Sequence, residues 1–157
     1  PLWIIPAWPI AALSVNRISH YFTQLSHHIP DQLFRILYWP VFGIFYVFLL
    51  WFVWPTILHP LTIFVLVLCL FFILSCKNHR AAIIIFIAGS LLGYFLERWG
   101  TTRLCWTYHI PGSPPFITVL AHGMASMAIW RAFPFMLAII RKLPIDWLKH
   151  CLPQPKL

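Results

Sequence analysis

The chain has 157 residues, of which 61% are hydrophobic and only 9% charged, against about 25% charged in a soluble domain. So few charges cannot cover a water-facing surface, which excludes a soluble globular domain and leaves a polytopic membrane protein. The net charge of +8 comes from 11 Lys and Arg set mostly singly between apolar runs. With no basic stripe, nucleic acid is excluded as a partner, and the charges read as loop residues that orient helices.

At about 20 apolar residues per span, the length holds four to five spans. The expected fold is an all-α transmembrane helix bundle, one domain over 1–157. Residues 1–15, with prolines at 1, 6 and 9, read as the end of a span whose start precedes Pro1. Residues 16–32 hold Arg17, His20, His27, His28 and Asp31 and read as a surface loop or an interfacial amphipathic helix. A span follows over 33–54, kinked or started by Pro40, then one over 56–75 as its antiparallel partner. Residues 76–80 form a polar turn. A span over 81–97, a loop over 98–115, a span over 116–138 and a basic tail over 141–157 complete the chain.

Short-loop Lys and Arg set the orientation. Arg17, Arg35, Lys77, Arg80, Arg141, Lys142, Lys149 and Lys156 fall on one side, and Arg98 and Arg103 on the other. Eight against two makes the C-terminus cytoplasmic. It puts the loop from Glu97 to Pro115 outside, periplasmic in a bacterial inner membrane. Arg131 is expected to snorkel to the cytoplasmic interface. The four Cys and eight His show no CxxC and no metal-ligand spacing. No metal, cofactor or disulfide framework is expected.

Two polar stripes carry the candidate site. Ser90, Tyr94 and Glu97 fall at i, i+4 and i+7, on one helical face. Gly89 and Gly93 lie beside them in GxxxG spacing, which lets another helix approach closely. On the next span Thr118, His122 and Ser126 repeat every four residues, next to small residues including Ala121 and Ala125. Both stripes are expected to face the bundle interior, in the half of the membrane beneath the 98–115 loop. An ionisable group there is costly and marks a functional site by default. Glu97 and His122 are the acid–base candidates, with Tyr108 as a supporting donor. Arg103 is the expected partner of Glu97. Arg98 and Arg103 can also hold an anion. Trp99 and Trp106 are candidates for substrate contact or for an interfacial aromatic belt. Ser, Thr and Tyr on packed helices also serve simply to hydrogen-bond neighbouring backbone.

Glu97, Gly100, the run Trp106-Thr107-Tyr108, and Pro115 together resemble the membrane-embedded bacterial carotenoid hydratases of the bisanhydrobacterioruberin hydratase type. That family has a Glu closing one helix, a Gly soon after, an aromatic–x–Tyr element and a Pro opening the next helix. The chain departs from the pattern at His122, where the family tends to carry Trp, and over 101–105, where it is Gly-rich. The resemblance covers about a sixth of the chain and implies an apolar, isoprenoid-like substrate reached from the bilayer.

Three functions are expected in order. The first is a protein that binds or modifies a lipid or isoprenoid-like substrate, with membrane lipids as its partners. The second is a non-catalytic subunit or assembly factor of a larger membrane complex, with other membrane subunits against the glycine and alanine faces. The third is a small oligomeric transporter.

Overall fold

The computed structural model describes residues 4–108 and 114–142; 109–113 and all but the first two residues of the expected basic tail lie outside that range. Five α-helices carry the described residues, which include no strand: α1 (Ile4–Leu25), α2 (Asp31–Val53), α3 (Pro60–Leu74), α4 (His79–Thr102) and α5 (Phe116–Lys142). Three of them, α2, α4 and α5, are long and apolar enough to cross a membrane.

The polar residues of 16–25 form neither a loop nor a separate interfacial helix. They continue α1, because its apolar positions keep helical spacing through them. Val15 and Phe22, seven apart, pack on the core, while Arg17 and His20 face outward. α3 is shorter than expected. Trp54–Thr56 winds into a single 3-10 turn, so the helix starts only at Pro60, in the first-turn position that suits proline. His59 caps it by accepting from Leu61 N. At 15 residues, α3 rises only about 22 Å. α4 runs past the expected ends at both sides. Asn78 Oδ1 caps its start by accepting from Ala81 N at 3.0 Å. Pro40 and Pro134 lie inside α2 and α5 without ending either helix.

Arg80 gathers one end of the bundle. Its guanidinium donates to Ile29 O at 3.2 Å, to Asp31 Oδ1 at 2.8 Å and to Ser26 O, and lies over the Phe34 ring. The end of α1, the start of α2 and the start of α4 therefore meet there. Glu97 lies near the opposite end of α4. Arg131 is half-buried and donates to Ser75 Oγ at 3.2 Å, tying α5 to the end of α3 beside the 76–80 turn.

α4 is the central helix, packed against α5 most extensively and against α1 and α2. Tyr38, Phe42 and Phe45 of α2 are essentially fully buried; both phenylalanine rings meet Phe86 of α4 edge-on. Tyr38 donates to Ile73 O at 2.7 Å, fixing α3 to α2. Leu61, Phe64 and Phe71 leave most of their surface exposed, as a lipid-facing helix does. α1 and α5 both lean on α4 without packing on each other to any extent, and the wedge between them is open.

A carboxylate held by three donors beside an apolar groove

The site begins as a row of missing side chains. Gly89 and Gly93 on α4 let α5 approach until Ser126 and His122 rest on the α4 backbone. A Cβ at Gly93 would lie 2.6 Å from His122 Cβ, and one at Gly89 would collide with Ser126. Gly123 on α5 does the same from the other side, meeting Ser90 Oγ and Phe86. Glu97 continues this row at the same four-residue step. It is buried, with 6% of its surface exposed, whereas Tyr94 points outward at 58%. Of the Ser90, Tyr94 and Glu97 stripe, Tyr94 alone faces away from the interior, and Glu97 extends the glycine row. Ser90 is turned inward, its hydroxyl buried and unpartnered among the described residues.

Beyond Glu97 the helix makes one more turn and stops. Thr101 and Thr102 hydroxyls donate back to Glu97 O and Arg98 O. Leu104 takes the left-handed conformation at φ 55°. Cys105 N donates to Gly100 O and Leu104 N to Thr101 O, the paired bonds of a Schellman ending. This reversal lays the Trp106 indole across Gly100, where a Cβ would collide with the ring. Trp106 and Tyr108 then reach the carboxylate from the loop. Trp106 Nε1 donates to Glu97 Oε2 at 3.0 Å and Tyr108 Oη donates to the same oxygen at 2.5 Å. His122 Nε2 meets Oε1 at 3.0 Å. A buried carboxylate needs such partners, since an unpaired one is very costly. Burial, followed by the hydrogen bond to Glu97, pushes the Tyr108 hydroxyl above the ordinary tyrosine range, so it stays a donor.

Arg103 is not the partner of Glu97. It is exposed, because the Schellman reversal turns Trp106 and Tyr108 inward and leaves Arg103 outside; Arg98 and Trp99, within α4, are exposed on the helix's outer face. Thr118 donates to Pro115 O and Ser126 to His122 O, so of that stripe His122 alone bonds Glu97. Ala121 and Ala125 are exposed rather than packed; α5 instead packs through Ile117, Gly123, Met124 and Met127. Sequence reasoning missed Gly123 and the structural use of Gly100. The signal was there for Gly100, three residues past Glu97 on the same face.

His122 is 40% exposed along its side chain, against 8% for Glu97. The exposed part borders the wedge between α1 and α5, a groove of about 420 Å³ that also touches Gly89, Leu96, Ala125 and Trp130. That volume suits a small ligand. No group of His, Cys, Asp and Glu among the described residues could hold a metal.

Apolar helices around a buried, hydrogen-bonded carboxylate define a helical membrane protein with a polar cluster near one end of its central helix. No protein-family model, curated protein or solved structure matches the chain.

Proposed function

We propose that this is a multi-pass protein of a bacterial inner membrane that binds a lipid or isoprenoid-like molecule in the α1–α4–α5 groove and modifies it by proton transfer through His122. The observation that carries this reading is His122, hydrogen-bonded to the buried Glu97, at the wall of a groove whose lining is otherwise mostly apolar, with Asn16, Ser19 and Ser126 as its other uncharged polar residues. Glu97 is sealed in, so His122 is the group that touches the ligand. Glu97, Trp106 and Tyr108 act as positioning residues behind it. The groove opens sideways, so a ligand enters from the bilayer without crossing water. The carotenoid-hydratase resemblance points the same way. Against a subunit that keeps its glycine face for partner helices, Gly89 and Gly93 are already occupied by α5 of the same chain.

The groove test is lipid retention. Wild-type protein purified in mild detergent should release a bound lipid in native mass spectrometry. Ala125→Trp, which fills the groove without touching Glu97, should lose that lipid and keep its helical circular dichroism. Equal lipid in both proteins would remove the groove from consideration. For orientation we propose the Arg80 end as cytoplasmic and the Glu97 end as periplasmic. A reporter active only outside the cytoplasm, fused at Ser113, should then be active, and one at the C-terminus silent; the reverse pattern would invert the assignment.

A further inference from the structure

We infer that the ligand is an uncharged, single-chain lipid alcohol, its hydroxyl donating to His122 Nδ1 and its chain lying along α5 toward Phe133. This rests on the groove reading above and names the substrate class for it.

The head group follows from the direction of the hydrogen bonds. Trp106 Nε1 can only donate, and Tyr108 shares the same oxygen, so Glu97 Oε2 accepts twice. With Oε1 facing His122 Nε2, the carboxyl behaves as an acceptor-only group, the form of an ionised carboxylate. The imidazole proton then sits on Nε2. A neutral imidazole with its proton on Nε2 leaves Nδ1 as a bare acceptor. Among the described residues Nδ1 has no hydrogen-bond partner. The Cγ–Cδ2 edge of the ring is the one that faces Gly93, so the Nδ1 edge is turned away from α4. The ligand atom that meets it must therefore bring a proton, as a hydroxyl does. If that proton moves, it passes to Nδ1 and gives an imidazolium facing the Glu97 carboxylate, while the oxygen keeps its electron pair.

The lack of charge follows from the walls. No Lys, Arg, Asp or Glu lines the groove. Arg98 and Arg103, the cations at this end, are exposed. A phosphate head would be desolvated there without a cation, which is costly. The single chain follows from shape. The groove touches α5 from His122 to Phe133, eleven residues or about 16 Å of helix, along one cleft.

The test uses full-length protein in nanodiscs, with ¹⁵N-labelled histidine and three probes of equal chain length: 1-dodecanol, dodecane and dodecyl phosphate. Native mass spectrometry reads binding, and the His122 Nδ1 resonance, assigned by its loss in His122→Asn, reads the contact. Dodecanol should bind and shift that resonance, and at equal concentration dodecane and dodecyl phosphate should shift it less than a fifth as far. Glu97→Gln should move the ring proton to Nδ1 and abolish the dodecanol shift while dodecanol still binds through its chain; a merely structural role for Glu97 would leave the tautomer alone. Binding of all three probes with no Nδ1 shift would overturn the hydroxyl assignment and leave the groove reading standing. Dodecyl phosphate binding as well as or better than dodecanol would overturn the uncharged head. Binding of none would overturn both readings.

Discussion

Arg80 and Glu97 are both charged residues held inside an apolar bundle, near opposite ends of α4, and they are satisfied in opposite ways. Arg80 is held by groups that tie helix ends together: two backbone carbonyls, one carboxylate and an aromatic face use its guanidinium, and that carboxylate, Asp31, lies at the surface among charged and polar neighbours. Glu97 is also saturated, but one of its three partners, His122, turns a bare edge to an open groove. The first cluster fastens helix ends. The second transmits the state of a buried carboxylate to a surface that a ligand can reach. Burial and charge alone do not separate the two clusters; on the proposed reading, what separates them is a partner, His122, that borders the mostly apolar groove, where the Arg80 cluster borders only a polar surface.

The largest expected effect strikes the backbone spacing on which the Glu97 cluster depends. Gly93→Leu forces a side chain into the space of His122 Cβ, and overpacking a tight contact costs about 1–3 kcal/mol or more. Thermal unfolding in detergent should drop steeply, and the Glu97–His122 contact should be lost with it. A Gly93→Leu protein as stable as wild type would mean that α4 and α5 do not meet along this seam.

Arg80→Ala comes next. It leaves two carbonyls without their donor; a hydrogen bond to a charged group contributes about 1.5–3 kcal/mol, but this end is partly open to solvent, so water takes over part of the loss. The loss should appear as lowered thermal stability with unchanged lipid retention. Impaired lipid retention at normal stability would erase the distinction between the two clusters. Asp31→Asn should cost far less. Asp31 is 76% exposed along its side chain, and exposed ion pairs contribute about 0–1 kcal/mol.

Tyr108→Phe removes one of two donors to Oε2, for about 1 kcal/mol. Its pH dependence carries a sign. The folded protein raises the Tyr108 hydroxyl above its ordinary value, so the neutral form is the one that stabilises. That contribution is fully present below about pH 10, the unperturbed tyrosine value, and is lost as pH rises through the higher folded value. The difference in melting temperature between wild type and Tyr108→Phe should be flat below pH 10 and shrink above it. A gap that widens above pH 10 would reverse the assigned hydrogen-bond direction. Smallest of all, Arg103→Gln should leave both stability and lipid retention within error. A large loss on either measure would return Arg103 to the role of counter-ion to Glu97.

The sequence by itself determined the class and the two residues at the centre. Composition forced helices in a membrane, since only closed backbone hydrogen bonding survives there. Rarity singled out Glu97, one of three acids in the chain, and four-residue spacing placed Gly89 and Gly93 on a packing face. Tertiary structure decided the rest. Helical periodicity fixes which residues share a face but not where its centre lies, so whether Tyr94 or Gly93 lies in line with Glu97 depended on the seating of α5. The same limit hid Gly123 behind the alanines. The partner of Glu97 was beyond any spacing rule, because it depends on a loop conformation. Leu104 in a left-handed turn and Trp106 laid over Gly100 bring two uncharged donors inward and leave Arg103 outside. Charge pairing suggested the arginine; the path of five residues after the helix decided against it.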